Sequence, residues 1–291
     1  MSLYARFVSN ILFPVHEKLK GHNSVRVRQS LEETQWLTIE KIEKLQIERL
    51  RQLLINASKD VPYYRDLFKK MKFNPETVKS TADLQQLPFL TKSIVRKNIE
   101  QLKSEKANGL AKFNTGGSSG KPLIFYIGKK RVSHDVAAKW RATRWWGVDI
   151  GDKEVVVWGS PIEVGTQDKI RLVRDKLFRT KLMPAFEMSD KKLDRFVIEI
   201  QKFKPKMLFG YPSALSLIAS HAKKKNETLN DLGIKVAFVT SEKLFDHQKE
   251  SIENMFGCKE SINFQKKFAF LHVAKFDPVF FKHFTNHSKT G

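Results

Sequence analysis

Apolar residues in the first third of the chain recur at helical spacing. After Thr38 the apolar positions follow a repeat near 3.6 residues, with glutamates and lysines between them: Ile42, Leu45, Leu50, Leu53, Leu54 and Ala57. Thr38 stands where a helix N-cap is expected. Pro62 predicts the end of this helix, because proline cannot continue one. A further helix is predicted over Ile94–Leu102, with Thr91 as its cap.

From Leu123 onward, short apolar runs alternate with helical patterns. Strands are predicted at 123–127, 154–158, 207–209 and 236–239, with helices in the intervals and a last helix over 245–256. Such alternation is typical of a parallel sheet, so the predicted fold class is α/β. Ligands of these sheets bind beyond the carboxyl ends of the strands. Two polar segments, Gly210–Ser213 and Thr240–Lys243, follow strands in this way.

The composition is that of a globular but strongly basic protein. Of its 291 residues 41% are hydrophobic and 29% charged, and 53 Lys and Arg face 31 Asp and Glu, a formal net charge of +22. This charge predicts an anionic partner: nucleotide, nucleic acid, anionic lipid or acidic sugar. The basic segment 169–179 could attach to an anionic membrane surface, although such segments are more often solvated helix faces.

The helix before the 154–158 strand mixes aromatic and basic residues, notably Trp140, Arg141, Arg144 and Trp145. This mixture could stack on single-stranded nucleic acid. No nucleic-acid motif accompanies it, so tryptophans in a core and arginines on a solvated face are the favoured interpretation.

Cysteine usage and the absence of targeting patterns predict a cytoplasmic protein. Cys258 is the only cysteine, which excludes an internal disulfide and suits a reducing compartment. No apolar run approaches the length of a membrane span, and Arg6 interrupts the start of the chain where a signal peptide needs an apolar core. No cysteine pair accompanies His283 and His287, and no acidic residue lies between them, so we predict no metal site. The oligomeric state is left open.

Seven consecutive positions concentrate glycine, hydroxyl and lysine side chains: Thr115, Gly116, Gly117, Ser118, Ser119, Gly120 and Lys121. Glycine lets a backbone approach a ligand closely. Successive N–H groups of such a loop can surround an anion, and hydroxyl and ammonium groups add donors. The pattern predicts a polyphosphate-binding loop, with a Gly/Ser turn or linker as the alternative.

Spacing excludes two common phosphate loops. A Walker loop needs a glycine five positions before Gly120, but Gly116 is one position too close to it. The Walker loop also needs Ser or Thr after the lysine, whereas proline follows Lys121. A dinucleotide fingerprint ending at Gly120 would need glycine where Thr115 stands.

Continued through Pro122, the stretch resembles the phosphate loop of the adenylate-forming enzymes. The lysine precedes the proline, as it does in the phenylacetate–CoA ligase branch and its CapK-like relatives in capsular-polysaccharide biosynthesis. Three upstream segments are similar to the helical lead-in of that branch: 33–36, 61–65 and 87–92. The resemblance implies an incomplete large N-terminal domain of an adenylate-forming enzyme.

The two strand-end segments also resemble this branch. Phe209–Leu215 is similar to its Gly-Tyr-Pro-Ser segment, and 241–244 to a segment in which Gly-Glu-Pro is commoner. The resemblance implies an acyl pocket bordered by Tyr211, Pro212 and Ser213, and an adenine side formed by Ser241, Glu242 and Lys243. It further implies ATP, Mg²⁺ and coenzyme A as cofactors, with the β- and γ-phosphates held by residues 115–121.

The resemblance extends to about Cys258. A Tyr-Gly-x-x-Glu segment, a ribose-binding aspartate and a C-terminal domain with a catalytic lysine should follow, but residues 259–291 show none of them. No catalytic residue is therefore assigned. We predict a helical lead-in over 1–112, an α/β nucleotide- and acyl-binding part over 113–258, and a divergent tail over 259–291, either frameshifted or disordered.

The implied function is ATP-dependent adenylation of a carboxylic acid, followed by transfer of the acyl group to a thiol such as coenzyme A. We expect this activity to be impaired in the present chain, because the later motifs are missing. The alternative is a catalytically silent basic protein that binds nucleotide, nucleic acid or an anionic membrane surface. The identity of the acid and of the acceptor stays open.

Overall fold

A computed structural model describes the chain in four stretches: residues 2–114, 122–159, 169–258 and 261–263. Contacts divide the chain into two compact units. Among the described residues, one unit contains those up to Gly21 and those from Val136 to Asn263, and the other contains those within His22–Asp135. We call them the sheet unit and the helical unit. The predicted division at residues 112 and 258 stays a prediction.

The sheet unit begins with one unbroken helical segment. It consists of α1 (Leu3–Phe7), a π-helical turn (Val8–Leu12) and α2 (Phe13–Leu19). Ser2 starts it, because its side chain accepts a hydrogen bond from the Ala5 N–H, 3.2 Å away. Within the described residues, no helix is long and apolar enough to cross a bilayer.

The helical unit contains α3 (Ser24–Thr34), α4 (Ile39–Asp60), α5 (Pro62–Lys70) and α6 (Lys92–Lys97), with 3₁₀ turns at Pro75–Thr77 and Thr81–Gln86. The apolar face of α4 packs on α5 and the turn after it, in a core that includes Leu50, Leu54, Ala57, Tyr64, Phe68, Phe73 and Val78. Burial of this face makes α4 a long stable helix, as its apolar spacing predicts.

The predicted helix boundaries in this unit are largely confirmed. Thr38 is the N-cap of α4, and Pro62 opens the next helix after an extended Val61. The Thr91 hydroxyl accepts a hydrogen bond from the Ile94 N–H at 3.2 Å. However, α6 ends at Lys97 and is shorter than predicted.

A hairpin of β1 (Ala111–Asn114) and β2 (Ile124–Ile127) follows. After it, α7 (Lys129–Arg144) runs across the boundary between the units. The strand after the glycine-rich stretch is therefore confirmed, whereas β1 was not predicted.

The sheet unit alternates strands and helices, and its sheet is entirely parallel. Strand order is β4-β3-β5-β6-β7, and all four neighbouring pairs are parallel. The elements are β3 (Glu154–Trp158), α8 (Lys169–Phe178), β4 (Thr180–Pro184), α9 (Asp190–Phe203), β5 (Met207–Gly210), α10 (Pro212–Lys224), β6 (Val236–Val239), α11 (Asp246–Phe256) and β7 (Ser261–Asn263). The predicted α/β class is confirmed, while β4 and β7 were not predicted.

Both faces of this sheet are buried, as is usual for parallel sheets. One face packs on α9, α10 and α11 through a core that includes Val155, Val157, Leu208, Ala237 and Val239. The other face packs on the end of α7 and the residues after it, through Met207, Val236, Phe238, Ala142 and Val148. The strands alternate between these two cores because successive side chains point to opposite faces.

Buried carboxylates surround the start of β3, and each has a cationic partner. Asp149 pairs with Arg144 and Asp152 with Lys206, both at 2.7 Å, and Glu154 pairs with Lys139. Arg141, on the same helix as Arg144, is 2% exposed. The expectation that these arginines lie on a solvated face is therefore wrong, because Arg141 is buried and the Asp149 carboxylate, later in the chain, pairs with Arg144.

Candidate functional site

The predicted phosphate loop, Thr115–Lys121, lies outside the described residues, and its role stays a prediction. The strands that precede and follow it belong to the helical unit and pair antiparallel, with Asn114 opposite Ile124. The site residues that the structure describes are those at the strand ends of the sheet unit.

Three strands end side by side at the carboxyl edge of the sheet. Val157 of β3 lies opposite Gly210 of β5, and Gly210 lies opposite Val239 of β6. The Thr240 N–H continues this pairing by donating to the Gly210 carbonyl at 3.0 Å. The two segments predicted to border the acyl pocket and the adenine side therefore leave the sheet at one edge.

Gly210 is needed where β5 leaves the sheet. A Cβ at this position would lie 2.4 Å from the Val157 carbonyl oxygen, which is far inside van der Waals contact. The absence of a side chain lets β5 approach β3 at the point where both strands end. Tyr211 follows immediately and leaves the strand with its backbone extended.

An aromatic stack lines the edge between β3 and β5. The Tyr211 ring lies parallel to the Trp158 ring, with centroids 4.5 Å apart and 17° between the ring planes. Trp158 also contacts Phe209, with centroids 5.9 Å apart. Both rings of the stack are partly exposed, so they present an apolar surface to a ligand. Trp158 was not predicted as a site residue, although its place at the end of a parallel strand could have indicated it.

The two predicted site segments are joined by one hydrogen bond. Tyr211 is the N-cap of α10 and Pro212 its first residue, so the Ser213 N–H is one of the free donors at the helix start. This N–H donates to Oε2 of Glu242, 3.2 Å away. A carboxylate is favoured here because helix N-termini carry partial positive charge. The contact thus brings Ser213 and Glu242 together.

Ser241 has a left-handed backbone, with φ at 69°. Few non-glycine residues adopt this conformation, at a cost of about 1–2 kcal/mol. A glycine at this position would adopt the conformation without that cost. Lys243, in place of the family proline, is exposed and holds its ammonium group 5.0 Å from the centre of the Phe245 ring.

The described residues at this edge can bind a ligand but offer little for covalent chemistry. They supply an aromatic wall, a helix N-terminus, exposed hydroxyl groups on Ser213 and Ser241, and one carboxylate. In the described part of the chain, no group of three or more His, Cys, Asp or Glu side chains is placed to hold a metal ion.

The chain is similar in sequence to protein CapK and to phenylacetate-coenzyme A ligases. It is 28% identical to protein CapK of Staphylococcus aureus over 216 residues, which are 74% of this chain and 48% of CapK. It is 23% identical to the phenylacetate-coenzyme A ligase of Pseudomonas putida, over 79% of this chain and 52% of that ligase. No protein-family model matches the chain. The chain spans about half the length of the curated relatives it matches.

Solved structures confirm the fold. A structure of 2-hydroxyisobutyryl-CoA ligase in the postadenylation state, in complex with 2-HIB-AMP, matches with a TM-score of 0.56 and 22% identity. The match covers 77% of this chain and 48% of that ligase. A second structure of the ligase, an open conformation with 2-HIB-AMP and CoA, gives a TM-score of 0.55 at 21% identity. The chain therefore has the fold of part of an adenylate-forming ligase.

Proposed function

We propose that this chain, which is similar in sequence to protein CapK and the phenylacetate-coenzyme A ligases, supplies the acid- and nucleotide-binding part of an ATP-dependent ligase. The reaction joins a carboxylic acid to AMP with release of pyrophosphate. The acyl group then passes to a thiol such as coenzyme A, with release of AMP. The role of this chain in the reaction is to hold the acid and the nucleotide in reactive contact.

The observation that carries this proposal is the hydrogen bond between the Glu242 carboxylate and the Ser213 N–H. It joins the Gly-Tyr-Pro-Ser segment to the segment that resembles the family's adenine side. An enzyme that adenylates an acid needs its acyl pocket beside its nucleotide site, since the acid attacks the α-phosphate directly. We assign the Tyr211–Trp158 stack to the acid and Ser241–Lys243 to the adenine.

The phosphates of ATP are assigned to Thr115–Lys121. Backbone N–H groups and hydroxyls of this composition suit the β- and γ-phosphates, and Lys121 would neutralise charge during attack on the α-phosphate. Mg²⁺ fits as a companion of the nucleotide, because it needs few protein ligands when phosphates and water complete its shell.

Nucleotide binding by the 291-residue chain tests the proposal. Calorimetric titration with Mg·ATP should show binding, and Lys121→Ala should weaken it at least about tenfold through loss of a charge-assisted contact. Lys202→Ala is a matched control, because this exposed lysine lies in the last turn of α9, at the opposite edge of the sheet. Absence of ATP binding, or equal binding by both variants, would exclude this function.

The acid site is tested separately. In titrations with a panel of aryl and branched carboxylic acids, Tyr211→Ala should reduce binding of the preferred acid and leave Mg·ATP binding unchanged. Tyr211→Phe should retain most acid binding, because it keeps the stacked ring. A Tyr211→Ala variant that loses ATP binding but keeps acid binding would reverse the assignment of the two segments.

A further inference from the structure

The N-terminal helical segment exposes a row of large apolar side chains. The row consists of Leu3, Phe7, Ile11, Val15 and Leu19, which are 48% to 84% exposed and four residues apart. We call this row the apolar stripe. Single exposed apolar residues are common on protein surfaces, but a contiguous row marks a surface that binds something apolar.

The π-helical turn keeps the stripe on one side of the segment. In an α-helix a four-residue repeat drifts by about 40° at each step, because four residues exceed one 3.6-residue turn. At Val8–Leu12 the helix takes more residues per turn, and the Phe13 N–H bonds to the Val8 carbonyl five residues back. This turn rotates the repeat in the opposite direction and offsets part of the drift.

The stripe is separate from the face by which the segment packs in the sheet unit. Ala5 and Val8 are fully buried and Phe13 nearly so. Packing at this face is tight, since a Cβ on Gly151 would lie 2.6 Å from the Val8 Cβ. The segment is thus held by one face while the apolar stripe stays exposed on another.

The exposed charged residues of the segment are all cationic. Arg6, Lys18 and Lys20 are exposed, whereas Glu17, the only acidic residue between Ser2 and Gly21, is 4% exposed. The exposed surface of the segment therefore combines apolar and positive groups without an exposed carboxylate.

A second helix of the sheet unit contacts this segment and also carries exposed apolar residues. In α8, Leu172, Val173 and Leu177 are exposed, as is Lys176. Its C-terminal end contacts the segment directly, because the Tyr4 hydroxyl donates to the Leu177 carbonyl at 2.8 Å. The Phe13 and Phe178 rings also meet edge to face, with centroids 6.0 Å apart.

We propose that the N-terminal segment docks on the surface of an anionic phospholipid membrane. The apolar stripe enters the region between headgroups and acyl chains, and Arg6, Lys18 and Lys20 contact the lipid phosphates. Amphipathic helices with a cationic polar face bind membranes in this way, lying in the interface without crossing it. The inference is independent of the proposed ligase function, since it rests on a different surface.

The charges favour a membrane over a second copy of the chain. Two copies that meet through this face would bring Arg6, Lys18 and Lys20 of each close together without exposed acids from the segment to balance them. An anionic bilayer offers apolar chains beneath a layer of negative phosphates, which complements both features of the segment.

Co-sedimentation with vesicles tests the proposal. The full chain is mixed, in about 0.1 M salt, with phosphatidylcholine vesicles with or without about 30% phosphatidylserine. We expect at least a tenfold greater bound fraction on the anionic vesicles. The double variant Phe7→Ser/Ile11→Ser should lower this fraction at least tenfold, because it interrupts the stripe.

The matched control is Ile198→Ser/Leu217→Ser, which removes two apolar residues of similar exposure, 47% and 43%, from α9 and α10. This variant should bind anionic vesicles like the unchanged chain. Circular dichroism and thermal melting confirm that each variant is folded.

Two results would overturn the proposal. Vesicle binding that survives Phe7→Ser/Ile11→Ser and is abolished by salt would show attachment through charge elsewhere. Absence of vesicle binding, together with a dimer in sedimentation analysis that the stripe variant dissociates, would show that a second copy covers the stripe.

Discussion

The carboxylate of Glu242 accepts a hydrogen bond from the backbone N–H of Ser213, with 3.2 Å between Oε2 and N. The two residues are 29 positions apart and belong to different strand–helix connections. Glu242 therefore serves as a cap for α10 that the local sequence of α10 does not provide. Through this contact, the conformation of the loop after β6 depends on the start of α10.

Removal of the Glu242 carboxylate should lower the stability of the fold. It should also loosen the connection between the loop after β6 and the start of α10. Glu242→Ala should lower the free energy of unfolding by about 0.5–1 kcal/mol, because an exposed N–H at a helix start loses a charged acceptor. Glu242→Gln should recover part of this loss, because an amide oxygen can still accept. Urea denaturation measures the effect, and Glu250→Ala, at an exposed glutamate of α11, should change stability by less than about 0.5 kcal/mol. Equal losses at both positions would contradict the capping role.

Gly210→Ala should be among the most damaging small substitutions in the sheet unit. Its Cβ would collide with the Val157 carbonyl oxygen, a backbone atom that cannot rotate away. Because β3 and β5 would have to separate, we expect a loss of about 2–3 kcal/mol in thermal or urea unfolding. Gly128→Ala is the control, since its Cβ would meet only Leu110 Cδ2 at an ordinary 3.6 Å. A loss below about 1 kcal/mol for Gly210→Ala would show that the strands can adjust.

The sequence was a good guide wherever a local rule determines the structure. Apolar periodicity and capping residues predicted α4, and the last predicted helix, over 245–256, is confirmed as α11. The strand-end rule predicted that Tyr211 and Glu242 leave the sheet at one edge, because parallel strands share a direction. These features depend on neighbours in sequence or on strand direction alone.

Features that depend on distant partners could not be predicted from the sequence. The burial of Arg141 and the pairing of Arg144 depend on the tertiary fold around β3, which a helical pattern does not show. The Trp158–Tyr211 stack depends on the register of β3 against β5. The left-handed Ser241 could have been anticipated only from the glycine common in the family. The short β7 has too few residues to show a strand period.

The buried pair of Lys139 and Glu154 should be strongly coupled. The Glu154 side chain is 2% exposed and that of Lys139 is 23% exposed, so loss of the lysine leaves a nearly unhydrated carboxylate. We expect Lys139→Met to cost about 3 kcal/mol in urea denaturation. The double variant Lys139→Met/Glu154→Gln should recover at least about 1 kcal/mol, since it removes both charges.

The pair of Lys103 and Glu100, 2.7 Å apart, is the control for this cycle, because its lysine is about as exposed as Lys139 but its carboxylate is not buried. The Glu100 side chain is 74% exposed, so Lys103→Met should cost less than about 1 kcal/mol. Additive losses for Lys139→Met and Glu154→Gln would show that the buried pair is not coupled.

Cys258 should be an unreactive thiol in the folded protein. Burial, helped by the nearby Glu253 carboxylate, raises its pKa from 9.0 to about 12. Only the thiolate reacts with alkylating reagents, so native labelling at pH 8 should be about a thousandfold slower than labelling of the denatured chain. Because the folded-state pKa is raised, the contribution of this thiol to stability is complete below pH 9 and is lost as the pH rises toward 12.

Mass spectrometry after timed iodoacetamide pulses measures the labelling rate of Cys258, and Cys258→Ser should take up no label. Equal rates in the native and denatured chain would show that the end of α11 is open to solvent.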